Sequence, residues 1–117
     1  MVVLDDFRTG RPGALEDCPV EVVRGCVTDA ELVCRLTVGA EAIFHLASLV
    51  SVPESLALPE ESVRINVGGT LAVLAAARAN RVPRVVFASS AAVYGDSPVS
   101  PQREDHLPAP LSPYGVT

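Results

Sequence analysis

The chemistry open to this chain lies in a few polar side chains set among apolar ones: the carboxylates of Asp5 and Asp6, the hydroxyls of Ser48, Ser89 and Ser90, the amide of Asn66 and the phenol of Tyr114. Carboxylates accept hydrogen bonds, whereas hydroxyls and amides also donate them. A phenol can pass a proton but is a difficult base. With an unperturbed pKa near 10, only about 0.1% of it is ionised at pH 7, and a nearby positive charge must lower that value before proton abstraction becomes useful. Cys18, Cys26 and Cys34 are an odd number with no C-x-x-C pair and no His close by. That disfavours a disulfide framework and a zinc site, so buried free thiols and no metal are expected. His45 alternates within an apolar strand and reads as a hydrogen-bonded core residue rather than a general base.

Alternating strand-like and helix-like segments must position these groups. The apolar run Val2 to Leu4 ends at Asp5-Asp6 and a Thr9-Gly10-Arg11-Pro12-Gly13 loop. Val20-Glu21-Val22-Val23-Arg24 alternates as a strand. Thr28-Asp29-Ala30-Glu31 fits a capping box that opens a short helix carrying Leu32, Leu36 and Val38, with Gly39 as its C-cap. Ala42 to Ala47 is a third strand. Pro59 opens a long helix whose apolar residues Val63, Val67, Leu71 and Leu74 recur every three or four positions, and whose small residues Gly68-Gly69 and Ala75-Ala76-Ala77 let it lie close on a sheet. Val82 to Ala88 supplies a fourth strand ending at Ser89-Ser90. Five prolines in the sixteen residues from Pro98 to Pro113 exclude helix there, and Pro113 then sits well as the opening of a helix through Tyr114 to Thr117.

Strands separated by helical segments imply right-handed βαβ units and a parallel sheet. The expected fold class is α/β: a partial doubly wound, Rossmann-like parallel sheet with helices on both faces. In such sheets ligands bind at the carboxyl ends of the strands, where Asp5, Ala47-Ser48 and Ser89-Ser90 all fall. With 117 residues there is room for one domain. The apolar fraction of 49% suits buried strands, and no run approaches the roughly 20 residues that span a bilayer. A net charge of −5 without blocks of like charge argues against nucleic acid or an anionic membrane as partner and leaves small molecules. The start Met1-Val2-Val3-Leu4-Asp5-Asp6 lacks the basic stretch and cleavage site of a secretory signal. The cytoplasm is the expected location.

Five phrases stand in a telling order: Val3-Leu4-Asp5-Asp6-Phe7-Arg8-Thr9-Gly10, Phe44-His45-Leu46-Ala47, Asn66-Val67-Gly68-Gly69-Thr70, Val86-Phe87-Ala88-Ser89-Ser90 with Val93-Tyr94-Gly95-Asp96, and Ser112-Pro113-Tyr114. Together they resemble the extended short-chain dehydrogenase/reductase superfamily, and within it the NAD-dependent epimerase/dehydratase family of sugar-nucleotide enzymes in its UDP-hexose 4-epimerase-like form. The resemblance covers essentially the whole chain. It implies NAD as cofactor and a nucleotide-sugar as substrate. It assigns Ser90 to hydrogen-bond the reacting sugar hydroxyl and Tyr114 to act as general base and acid beside the cofactor. Asp5 resembles the acceptor of the adenosine ribose hydroxyls, which favours NAD because a ribose phosphate would meet a like charge, while Arg8 keeps NADP as the alternative. Asp6, Thr9 and Gly10 resemble the rest of that adenosine-side loop. Leu46, Ala47 and Ser48 resemble the turn beside the pyrophosphate and nicotinamide ribose, Asn66 a cofactor-contacting amide, and Ala88 and Ser89 the strand end at the nicotinamide. The family also implies a homodimer through the helices after Asn66 and at Tyr114.

Departures from the pattern narrow the reading. Where the family places an Asp against the adenine amino group this chain has Cys26, a poor acceptor, so adenine would rest on backbone around Val27 and on apolar packing. The Asp-Glu pair that dehydratases place before the Val-Tyr-Gly phrase is Ala91-Ala92 here. Alanine exchanges no proton, which disfavours elimination and decarboxylation and leaves epimerisation by transient oxidation leading. An NAD(P)-dependent reductase or dehydrogenase of the same superfamily, or a non-catalytic nucleotide-binding remnant, are the alternatives. By the same resemblance a glycine-rich phosphate loop would lie about 20 residues ahead of Asp5 and a Lys one residue after Thr117. The expectation is therefore residues 1–117 as a partial dinucleotide-binding domain with no substrate domain, its first central strand missing, and inactive alone.

Overall fold

The computed structural model describes residues 1–117. Its strands are β1 (Val2–Asp5), β2 (Glu21–Arg24), β3 (Ile43–His45) and β4 (Val85–Phe87). The helices are α1 (Ala30–Leu36), α2 (Val52–Ala57), α3 (Pro59–Ser62), α4 (Gly69–Ala79) and α5 (Pro113–Val116). Short 3₁₀ turns occupy Pro12–Leu15 and Ala91–Tyr94, and a π-helical turn spans Val63–Gly68 between α3 and α4.

Both strand pairings are parallel. β1 runs beside β2 with Val2 opposite Glu21 and Asp5 opposite Arg24, and β3 beside β4 with Ile43 opposite Val85 and His45 opposite Phe87. No strand joins the two pairs, so β1 and β3 each keep an unpaired edge. One core nevertheless serves both. Val27, Val33 of α1, Leu49, Ile65, and Val73 and Ala76 of α4 form it, with Leu4, Ile43 and Val85 of the strands packed against it. Phe44 and Val86, which the pleat turns to the opposite side from Ile43 and Val85, stay exposed. The radius of gyration of 15.6 Å exceeds the about 13.4 Å of a compact domain this long. The excess is what two sheet halves without a shared central strand would give.

Local chemistry explains the elements and corrects several expectations. Helix α1 is capped by Asp29, whose side chain accepts from Leu32 N–H at 3.0 Å, rather than by Thr28. The Thr28 hydroxyl is instead engaged by Arg64 and Cys26. α1 stops at Leu36, and Val38 lies beyond it, exposed. Helix α2 was not expected. Ser51 starts it by accepting from Glu54 N–H at 3.2 Å, with Pro53 in the first turn. Pro59 opens α3 as its position suggested.

The long helix is also not uniform. The π turn inserts a residue into its ladder and turns Ile65 and Asn66 inward, so the buried face is Ile65, Gly69, Ala72, Val73, Ala76 and Ala77. The stripe Val63, Val67, Leu71 and Leu74 is left facing outward. Gly69 shows why small residues line the inner face: a Cβ there would lie 2.5 Å from Val27 Cγ1. The cysteines are free, but Cys18 is exposed and Cys26 and Cys34 only half-buried, so the expectation of buried thiols fails.

Candidate functional site

A cleft of about 310 Å³ opens at the carboxyl ends of β3 and β4, as a parallel sheet dictates. Leu46, Ala47, Ser48, Asn66, Ala88, Ser89, Ser90 and Tyr114 all line it. The eight come from four separate stretches of chain, and identifiable hydrogen bonds fix Ser48, Asn66, Ser90 and Tyr114. Ser90 caps the 3₁₀ turn after β4: its Oγ accepts from Ala92 N–H at 3.2 Å, which leaves the hydroxyl proton free to donate. Gly95 ends that turn at φ +62°, where a Cβ would fall 2.0 Å from the Ala109 carbonyl oxygen, so only glycine fits.

Tyr114 rides on α5. Ser112 caps that helix by accepting from Gly115 N–H at 3.1 Å, and Pro113 sits in its first turn. Two buried serines hold α5 against α2 and α3. Ser55 donates to the Val52 carbonyl at 2.8 Å and accepts from Tyr114 N–H at 3.2 Å, while the Ser62 and Thr117 hydroxyls meet at 3.4 Å. A Cβ on Gly115 would lie 2.8 Å from the Ala92 carbonyl oxygen, so α5 packs directly on the turn that carries Ser90.

Asn66 is the strut of the cleft. Its Oδ1 accepts from Leu49 N–H at 2.7 Å and from the Ser48 hydroxyl at 3.1 Å, and its Nδ2 donates to the Leu49 carbonyl at 3.2 Å and to Thr117 Oγ1 at 2.9 Å. One side chain thus joins the turn after β3 to the helix bearing Tyr114. The π turn that aims it inward is a feature that recurs at functional positions. His45 lies at the floor of the cleft, buried, with Nε2 3.0 Å from Thr70 Oγ1, and Thr70 passes its own proton to the Asn66 carbonyl at 2.6 Å. Burial pushes the imidazole below its ordinary pKa.

The other sequence-derived residues stand apart from this cleft, around β1 and β2. Asp5 ends β1. Its Oδ1 accepts from Phe7 N–H at 2.7 Å while Oδ2 has no protein partner, as a ribose acceptor requires. Asp6 accepts from Arg8 N–H at 2.9 Å, so two successive side chains fold the turn back on itself. Thr9 and Gly10 are exposed in that turn, with Gly10 backed by the Asp5 carboxylate. Val27 is a core residue against Gly69, and only its backbone is left to face a ligand. Cys26 lies 3.1 Å from Thr28 Oγ1. Burial pushes its thiol up, but the Thr28 hydroxyl and amide and the Arg64 guanidinium outweigh this and leave it below the usual thiol value.

The residues present fit a dinucleotide in three respects: small side chains at the ends of β3 and β4, an open carboxylate oxygen at the end of β1, and hydroxyl donors facing one cleft. Sequence reasoning missed Ser55, Ser62, Thr70 and Thr117, because a lone Ser or Thr carries no signal of which distant backbone group it will meet. It also missed the engagement of Arg8, described below.

Known proteins bear on the same residues. The profile of the NAD dependent epimerase/dehydratase family matches residues 1–117. UDP-glucose 4-epimerase of Azospirillum brasilense is 36% identical over 118 residues, covering 99% of this chain and 34% of that protein. The crystal structure of UDP-glucose 4-epimerase from Brucella ovis in complex with NAD superposes with a TM-score of 0.90 at 33% identity, over 98% of this chain and 35% of that one. A dTDP-glucose 4,6-dehydratase double mutant from Streptomyces venezuelae, with NAD bound, superposes with a TM-score of 0.89 at 32% identity, over 98% of this chain and 37% of that one. The chain therefore spans about a third of the length of these relatives. The backbone is common to epimerase and dehydratase, so the choice between them rests on side chains. By sequence and by structure, the chain belongs to the NAD-dependent epimerase/dehydratase family.

Proposed function

We propose that this chain supplies the adenosine-ribose contact and the catalytic hydroxyls of a cytoplasmic NAD-dependent sugar-nucleotide 4-epimerase acting on UDP-hexoses. Residues 1–117 are then part of a dinucleotide-binding domain, and the substrate-binding half lies outside them. The observation that carries this reading is the single cleft in which Ser90, Tyr114, Ser48 and Asn66 converge at the strand ends. When bound, NAD would supply a hydride acceptor that later returns the hydride to the sugar carbon. The chain's own groups do the rest. The Ser90 hydroxyl, its oxygen already taken by Ala92 N–H, donates to the sugar hydroxyl. Tyr114, on a helix anchored through Ser55 and Asn66, removes that hydroxyl's proton and gives it back. Asp5 accepts from the ribose hydroxyls through its open Oδ2.

Ala91 and Ala92, which form the 3₁₀ turn beside the cleft, hold no group that could protonate a leaving hydroxyl. Epimerisation is favoured over elimination on that ground. Acting as a proton relay, the phenol needs positive charge close by, and the chain alone offers no Lys, since its sequence contains none. Alone it is inactive on this reading. The exposed stripe Val63, Val67, Leu71 and Leu74 supports a homodimer through that helix. Tyr114→Phe tests the catalytic assignment in the chain extended at both ends by a glycine-rich strand-loop-helix and a Lys-bearing helix. UDP-hexose interconversion should fall at least about a hundredfold with NAD affinity retained. Undiminished turnover would remove Tyr114 from the mechanism.

A further inference from the structure

The turn after β1 contains a cation, Arg8, that could oppose the Asp5 assignment. Arg8 lies three residues beyond Asp5, where an arginine can accommodate a phosphate on the ribose. It is not free to do so. Its Nη2 donates to Glu61 Oε1 at 3.0 Å, and its Nη1 and Nε lie 3.9 Å from Glu54 Oε1 and Asp6 Oδ2. Glu61 is gripped a second time by Arg64, through Nε at 2.6 Å and Nη2 at 2.8 Å, and Arg64 reaches on to Thr28 Oγ1 at 2.9 Å. Helices α2 and α3 thus send two carboxylates across to the β1 turn.

We propose that Glu61 and Glu54 are specificity-determining residues: by occupying Arg8 they withhold its guanidinium from a ribose 2′-phosphate and make this site select the unphosphorylated dinucleotide. The inference rests on the proposed role of Asp5 at the ribose. Charge supports it. Asp6, Glu54 and Glu61 are three carboxylates set against the guanidiniums of Arg8 and Arg64, so a phosphate carrying about two negative charges would have to compete with them for Arg8 and would also meet the Asp5 carboxylate. A ribose hydroxyl meets no such repulsion and can donate to Asp5. Glu61 is ionised at physiological pH, because hydrogen bonds from Arg64 and Arg8 pull its carboxyl down to about 2. Discrimination therefore depends on α2 and α3 as well as on the strand end.

Calorimetric titration of NAD and of NADP into the chain extended as above tests this, comparing the parent with Glu54→Gln, with Glu54→Gln/Glu61→Gln, and with that double variant carrying Arg8→Ala. The double variant should gain about tenfold in NADP affinity with NAD changed less than about twofold, and Arg8→Ala should abolish the gain. Glu54→Gln alone leaves the Arg64–Glu61 clamp intact and should move NADP in the same direction by about threefold. NAD binding with an unchanged NAD to NADP ratio in both carboxylate variants overturns the inference and leaves the NAD reading standing. A parent that binds neither dinucleotide overturns that reading, and the inference with it.

Discussion

Replacing Asn66 by Ala should be among the most damaging single changes to this chain, and the structure sets the size of the effect. The side chain is 5% exposed and satisfies both backbone groups of Leu49, itself 4% exposed, through bonds of 2.7 and 3.2 Å. The Ser48 and Thr117 hydroxyls can rotate to other partners when Asn66 is cut back, but the Leu49 N–H and C=O cannot. A buried backbone group left unpaired costs about 1–3 kcal/mol, so two of them, eased by water entering the vacated space, give about 3 kcal/mol. With a urea slope of about 1.5 kcal/mol/M, the midpoint should fall by about 2 M. Urea unfolding followed by circular dichroism reads this. Hydrogen exchange at the Leu49 amide localises it, since that proton should exchange about a hundredfold faster in Asn66→Ala. A midpoint within about 0.3 M of the parent, with the Leu49 amide still protected, would refute the role of Asn66 as the strut between the β3 turn and α5.

Two further outcomes follow from the same geometry. Gly95→Ala should destabilise by at least about 2 kcal/mol in the same urea assay, because φ +62° with ψ −140° excludes a side chain and the Ala109 carbonyl occupies its place; a neutral result would mean that the turn after β4 is not built as described. His45 is neutral when buried and its folded pKa is lowered from 6.5, so below pH 6.5 the unfolded chain binds more protons than the folded one. Stability should be full above pH 6.5 and fall as pH drops from there through the folded value, and His45→Gln should flatten that slope; an unaltered slope would show that another group titrates.

How much of this was legible in the sequence depends on how local each signal is. The four strands are apolar runs bounded by turn residues, and all four form: β1 covers its run and Asp5 besides, while β2, β3 and β4 are shorter than theirs. Tyr114 could be placed at a helix start because Pro113 fixes the backbone there. Seven of the eight sequence-derived residues that line the cleft are strand-end or helix-start residues, and parallel topology alone brings such ends together. Helix α2 was legible but overlooked: Ser51-Val52-Pro53-Glu54 is itself a capping signature. The π turn was not legible, since heptad-like spacing of Val63, Val67, Leu71 and Leu74 suggests an inward stripe; the close approach of the small residues was legible, and Gly69 packs on Val27 accordingly. The fate of Arg8 could not be read either, because Glu61 lies 53 residues away and nothing local links them.

On the proposed reading, residues 1–117 carry one side of a dinucleotide site that needs a glycine-rich loop and a Lys from outside them. Titrating NAD by calorimetry into the 117-residue chain and into the chain extended at both ends tests it most directly. Only the extended form should bind NAD and interconvert UDP-hexoses. Binding of NAD by the 117-residue chain alone would contradict it and would make the chain a self-sufficient nucleotide-binding module.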